Sequence, residues 1–104
     1  MTQVIICCPR GGYKFIVIKN EKGGMVVYAD DDPQFDYHRV LLAEYQNDSG
    51  MRARCLGGGQ IRFNGEKKTI MISGSSGDFG VEPDRMETVK AIKAAYPDFE
   101  VSSR

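Results

Sequence analysis

Hydrophobic residues dominate two segments near the start of the chain, and their spacing predicts a β-hairpin. Residues 13–19 form the first segment, between a pair of glycines and Asn20, and Met25–Ala29 form the second after a glycine-containing turn. Branched and aromatic side chains favour strands, and a short turn between two such runs indicates antiparallel pairing. The apolar stretch 1–8 lacks the basic start of a signal peptide, so we predict a further strand there.

A second hairpin signal lies between two glycine-rich segments. Residues 60–63 and Thr69–Ser73 are strand-like, and Asn64-Gly65 follows the first of them. Asn-Gly predicts a type I′ turn, because both residues accept positive φ. Residues 55–59 and 74–80 are then expected to form two loops at the hairpin end away from this turn. Since glycine and serine let backbone N–H groups converge on an anion, we interpret the second loop as a phosphoryl-binding segment.

Two segments have helical periodicity. The first is predicted over residues 33–46, with Asp32 before Pro33 as its start signal. The second begins near Asp84, which has the capping-box spacing to Glu87, and Pro97 ends it. The stripes expected to be buried are Phe35, His38, Leu41, Leu42 and Tyr45 in the first helix, and Met86, Val89, Ile92 and Tyr96 in the second.

The order of these elements predicts an α+β fold. Residues 51–56 alternate as a separate strand, and residues 98–101 add a short edge strand. We therefore expect a single mixed, mostly antiparallel β-sheet of about six strands packed with two α-helices. A length of 104 residues fits one domain, spanning residues 1–104.

Charge and cysteine content exclude several classes of function. The formal net charge is zero, without a basic run, which argues against nucleic-acid or anionic-membrane binding. Cys7 and Cys8 are expected to point to opposite faces of a strand, and no C-x-x-C spacing or histidine cluster accompanies them. The three acids before Pro33 fit a solvated helix start better than a metal site. We therefore expect a monomeric, cytoplasmic protein with reduced thiols and no metal.

Few residues carry candidate chemistry. His38 is the one imidazole, the side-chain type that titrates near neutral pH, although a histidine on a helix stripe can equally be structural. Lys14 can neutralise a phosphoryl oxygen, or it can simply face solvent from an alternating strand. Cys55 is not followed by arginine at the C-x5-R spacing of cysteine phosphatases, since the next arginine is Arg62.

Three blocks of sequence resemble a known family. They are Tyr37-His38, the block C-L-G-G-G-Q-I at 55–61, and K-A-I-K-A-A-Y-P-D-F-E-V at 90–101. Together they resemble the protein phosphohistidine phosphatase family, which includes the Janus and Ocnus proteins. The likeness extends from Tyr13 to Val101, and the combination of the last two blocks is its specific part.

The resemblance implies hydrolysis of the P–N bond of phosphohistidine in a protein or peptide substrate, without metal or cofactor. The family's catalytic histidine falls on His38. Its phosphate-binding residues fall on Lys14, Ser76, Gly77 and Asp78, with Tyr37, Gly58 and Gln60 as supporting residues. Two positions depart from the family pattern: Gln60 replaces an arginine, and Asp78 replaces a small neutral residue.

These departures leave the substrate and the mechanism open. The chain can instead be a phosphatase for phospholysine or phosphoarginine, or a non-catalytic module that binds a phosphoprotein. Within the main hypothesis, His38 either activates water as a general base or becomes phosphorylated itself.

Overall fold

The computed structural model describes residues 2–31 and 37–104, which form six strands and two helices. In chain order these elements are β1 (Thr2–Ile6), β2 (Gly11–Asn20), β3 (Met25–Ala29), α1 (His38–Ser49), β4 (Ala53–Asn64), β5 (Thr69–Ser73), α2 (Arg85–Ala95) and β6 (Glu100–Ser103). Within the described ranges, neither helix has the length and apolar character needed to cross a bilayer.

The strands form one mixed sheet in the order β1-β3-β2-β4-β5-β6. The three central pairs, β3–β2, β2–β4 and β4–β5, are antiparallel, whereas β1 and β6 join the two edges in parallel. This arrangement confirms the predicted α+β fold with a mostly antiparallel sheet and two helices. The predicted edge strand near the end of the chain is β6, which starts at Glu100.

The two helices cover opposite faces of the sheet, and β2 contributes to both cores. Phe15 and Val17 belong to the core that includes Ile92 of α2. Ile16 belongs to the other core, with Leu41 of α1. All five side chains are buried, as expected for a central strand whose alternate residues pack under different helices. Side chains at even-numbered positions of β2 therefore lie on the α1 face.

One continuous strand, β4, replaces the predicted strand 51–56, glycine loop and strand 60–63. The glycines lie inside this strand because neighbouring backbone leaves no room for side chains. A Cβ on Gly57 would lie 2.1 Å from Glu82 N, one on Gly58 2.2 Å from Phe15 O, and one on Gly59 2.3 Å from Ser73 O. The prediction of a first glycine loop is therefore wrong.

The second hairpin is confirmed, but its predicted type I′ turn is wrong. Asn64 still pairs with Thr69, so the connection consists of residues 65–68. Lys68, rather than Asn64 or Gly65, has the positive φ, at 54°. The Asn64 side chain accepts a hydrogen bond from Lys67 N at 3.1 Å and so organises the wider turn.

Helix α1 begins later than predicted, whereas α2 begins directly after its predicted cap. Tyr37 is extended (φ −118°, ψ 140°) and precedes α1, so a continuous helix over 33–46 is wrong; Pro33 and Phe35 lie outside the described residues. The predicted cap of α2 is confirmed, because Asp84 accepts a hydrogen bond from Glu87 N at 3.1 Å. Met86, which was predicted to be buried, is 58% exposed, and Thr88 is buried instead.

Candidate functional site

His38 is the first residue of α1, and its ring packs against the glycine segment of β4. The side chain is 5% exposed, and its Nε2 lies 3.0 Å from the carbonyl oxygen of Gly59. Because a carbonyl only accepts hydrogen bonds, Nε2 carries the hydrogen, and Nδ1 of the neutral ring keeps its lone pair. A Cβ on Gly58 would approach His38 Cδ2 to 3.1 Å, so glycine also makes room for the ring.

Lys14 and Gln60 form a cross-strand pair, and Ser73 lies opposite Gln60 on the next strand. Lys14 shares the α1 face with Ile16, which pairs with Gly58 beside His38. The Lys14–Gln60 pair therefore follows the Gly58 contact by two residues, about 7 Å along the strands. The register thus places the amine, the amide and the imidazole on the same face of the sheet.

A cavity of about 530 Å³ extends from this row of polar residues. Its lining includes Lys14, Gln60, Arg62, Ser73 and Arg104. Three of these side chains are cationic, so the cavity favours an anionic ligand. Of the described residues, His38 and those at 76–78 do not contribute to this lining.

The segment 74–80 is a closed loop held by Ser76. Ser76 and Gly80 exchange two backbone hydrogen bonds of 3.0 and 2.9 Å, and the buried Ser76 hydroxyl accepts from Asp78 N at 3.2 Å and from Phe79 N at 3.1 Å. Gly58 N donates to Gly80 O at 3.0 Å, which fixes the loop to β4. Ser76 therefore shapes the loop, while Gly77 and Asp78 form its exposed tip.

The Asp78 carboxylate interacts with α1. Its Oδ2 lies 4.0 Å from Arg39 Nη1, and the Arg39 guanidinium stacks 4.9 Å from the centre of the Tyr37 ring. Both ionic side chains are largely exposed, so the pair contributes little stability. The ion pair instead positions the loop, because it joins the loop tip to the end of α1 that carries His38. Sequence reasoning missed Arg39, whose only available signal was its place next to His38.

A second ionic group, also missed from the sequence, fixes the glycine segment from the α2 side. The Arg85 guanidinium donates to Glu82 at 2.7 and 3.0 Å and to Gly58 O at 3.0 Å. Thr88 Oγ1 donates to the same carboxylate at 2.7 Å. The Glu82 side chain is 2% exposed and that of Arg85 14%. The i,i+3 spacing of opposite charges was an available signal.

Two cysteine predictions have different outcomes. Burial raises the pKa of the Cys55 thiol to about 11, so its neutral form predominates near pH 7, in agreement with its rejection as a nucleophile. The expected opposite orientation of Cys7 and Cys8 is wrong. Strand β1 ends at Ile6, so strand alternation does not apply to them, and their sulfurs lie 3.3 Å apart.

The described geometry brings the predicted site residues around the segment 58–60 of β4. His38 contacts Gly58 and Gly59, Lys14 pairs with Gln60, and the 74–80 loop attaches through Gly80. The molecule is thus a small α+β protein in which a glycine-rich central strand holds a buried imidazole on the same face as a row of polar side chains. That all of these residues act on one phosphoryl group stays a prediction.

Comparison with known proteins places the chain in a family. The model of the Janus/Ocnus family matches residues 3–100. The sex-regulated protein janus-A of Drosophila melanogaster is 40% identical over 98 residues, covering 89% of this chain and 72% of that protein. Its Drosophila yakuba counterpart is 32% identical over 102 residues, with coverages of 91% and 73%. The chain belongs to the Janus/Ocnus family.

A more distant similarity involves a protein with a named activity. The human 14 kDa phosphohistidine phosphatase is 36% identical over 70 residues, which cover 64% of this chain and 55% of that protein.

Proposed function

We propose that this protein hydrolyses the P–N bond of phosphohistidine in a protein or peptide. The observation that carries the proposal is the orientation of His38. Nε2 is hydrogen-bonded to Gly59 O, so in the neutral tautomer Nδ1 keeps the lone pair that can accept a proton from water. The similarity to the human phosphohistidine phosphatase supports the choice of substrate.

The reaction requires mainly positioning and one proton transfer. His38 Nδ1 accepts a proton from water while the water oxygen forms the new P–O bond. The P–N bond breaks, the substrate imidazole takes a proton from solvent and His38 returns its own proton to solvent, so the products are histidine and inorganic phosphate. Because a protonated imidazole is a good leaving group, the protein must chiefly orient the water and neutralise the phosphoryl oxygens.

Phosphate binding is assigned to Lys14 and to the backbone of the exposed loop tip, Gly77 and Asp78. The cationic cavity beside Lys14 supports the assignment of Lys14, because Arg62 and Arg104 add positive charge to the same opening. The Asp78 carboxylate is directed to Arg39, so its negative charge is partly compensated. Ser76 acts by holding the loop closed through its hydroxyl.

The test is hydrolysis of a phosphohistidine peptide by wild type and by His38→Gln. The glutamine amide can still donate to Gly59 O, whereas the variant lacks a base, so we expect kcat to fall by roughly 10²-fold or more. Thermal unfolding of the variant should stay close to that of wild type, because the buried contact is kept. Wild-type turnover by a folded His38→Gln protein would exclude this mechanism.

Two alternatives are separated by further measurements. The neutral Gln60 beside Lys14 favours a phosphatase for a phosphoramidate with a different leaving group, so phospholysine and phosphoarginine peptides are compared with phosphohistidine. A non-catalytic relative would bind inorganic phosphate without turning over any of the three. Rapid quenching with labelled substrate distinguishes a phosphorylated His38 from direct attack by water.

A further inference from the structure

A cluster of three metal-ligating side chains lies where the parallel strands β1 and β3 end. The sulfurs of Cys7 and Cys8 are 3.3 Å apart. Cys7 Sγ lies 3.3 Å from Asp31 Oδ1, and Cys8 Sγ lies 3.1 Å from Asp31 Oδ2. We propose that Cys7, Cys8 and Asp31 bind one thiophilic divalent cation of the zinc class. This site is separate from the residues assigned to phosphoryl chemistry and departs from the expectation of a metal-free protein.

Strand topology explains why these residues meet. In the parallel pair, Ile6 lies opposite Ala29, so the two strands end side by side at the same end of the sheet. The chain then reaches Cys7 on one side and Asp31 on the other. The ligands therefore come from two segments that the sheet itself holds together, which limits the conformational entropy lost when a cation binds.

The spacing suits tetrahedral coordination after a small adjustment. Zinc bonds of about 2.3 Å to sulfur and about 2.1 Å to a carboxylate oxygen place neighbouring ligand atoms roughly 3.6–3.8 Å apart. The two sulfurs are 3.3 Å apart, each lies 3.1–3.3 Å from a different Asp31 oxygen, and one ligand atom from each residue lies within 4.8 Å of the others, so the ligands must shift by on the order of 1 Å. The exposed side chains of Cys7 and Asp31 can rotate by that amount, and a water molecule can supply the fourth ligand.

Backbone contacts hold the ligand segments in place. Cys7 N donates to Ala29 O at 3.2 Å, and the Tyr13 hydroxyl donates to Cys8 O. Asp31 N donates to Cys7 Sγ at 3.2 Å, which is the kind of outer hydrogen bond that orients and stabilises a metal-bound thiolate. The sulfur donors select zinc-class ions over Mg²⁺ and Ca²⁺, which prefer oxygen.

Binding exchanges protons for the cation. Two metal–sulfur bonds and one metal–oxygen bond form, the two thiol protons pass to solvent, and one water completes the shell. No electron transfer is involved, so the reaction needs no oxidant.

The protein is kept reduced with a phosphine and titrated with Cd²⁺. Binding is followed by the ultraviolet sulfur-to-cadmium charge-transfer band. We expect saturation at one Cd²⁺ per chain and displacement by Zn²⁺. Loss of a direct ligand should weaken Cd²⁺ binding by roughly 100-fold or more in Cys7→Ser and in Cys8→Ser. Asp31→Asn should also weaken it, whereas the matched controls Cys55→Ser and Asp30→Asn should leave it unchanged.

Each other result overturns the proposal. A band that persists without Cys7 and Cys8 or that requires Cys55 places the cation elsewhere, and one Cd²⁺ per two chains indicates a bridge between molecules. If Asp31→Asn binds Cd²⁺ with wild-type affinity, the Asp31 carboxylate is not a ligand. The band reports binding alone, so the result is independent of whether the protein is a phosphatase.

Discussion

Glu44 is the residue whose environment gives the stability of this protein a predictable pH dependence. Partial burial on α1 raises the pKa of its carboxyl from 4.5 to about 7, and its hydrogen bond with Asp30 acts in the same direction. The folded state therefore prefers the neutral carboxyl. This preference contributes stability that is complete below pH 4.5 and is lost as the pH rises through about 7.

Glu44→Gln, which mimics the neutral acid at every pH, should stabilise the protein in base. We expect the free energy of unfolding at pH 8.5 to rise by about 1 kcal/mol, a reduced value because the group is partly exposed to solvent. At pH 4 the variant and wild type should be equally stable. Urea unfolding at both pH values measures this, and an equal gain at pH 4 would show that ionisation is not the cause.

At the scale of elements, three strands present the row of Lys14, Gln60 and Ser73 on one face. Gln60 is the member of this row for which the resemblance implies an arginine. Gln60→Arg would place a second cation next to Lys14. For a phosphate dianion in this open cavity we expect a gain of about 1 kcal/mol, equivalent to roughly five-fold tighter binding.

Inorganic phosphate titration followed by NMR measures the effect of Gln60→Arg. Gln3→Arg is the matched control, because it adds the same charge at an exposed position of the edge strand β1. An equal gain in both variants would indicate a general effect of net charge. If Gln60→Arg does not tighten phosphate binding, phosphate does not bind at this part of the sheet.

Local sequence signals were sufficient for most elements but not for β4. The β2–β3 hairpin and the Asp84 cap depend on residues that are close in the chain, so the local sequence pattern predicts them. The glycines of β4 depend instead on backbone from distant segments, including Phe15, Ser73 and Glu82. A glycine run in a flexible loop and one required by close strand packing have the same sequence, which is why the predicted loop is a strand.

At the scale of the whole molecule, the sequence identified only those candidate site residues whose side-chain type itself suggests a chemical role. His38 and Lys14 were identified as an imidazole and an amine, and the family resemblance gave them roles. Arg39 and Arg85 were missed because each acts through a distant partner, Asp78 in one case and Gly58 in the other. The Cys7–Cys8 geometry was missed because β1 ends two residues before Cys8, so strand alternation does not extend to this pair.

Arg85 and its ionic partner Glu82 connect the two faces of the molecule, because the Arg85 hydrogen bond to Gly58 O lies next to the peptide oxygen that holds His38. Glu82→Gln removes the buried negative charge and leaves the Arg85 guanidinium without its ionic partner, so the free energy of unfolding should fall by about 3 kcal/mol. Urea denaturation at pH 7 measures the loss. Glu66→Gln in the exposed β4–β5 turn makes the same chemical change and should cost almost nothing. If both variants are equally stable, the buried pair does not hold the glycine segment in place.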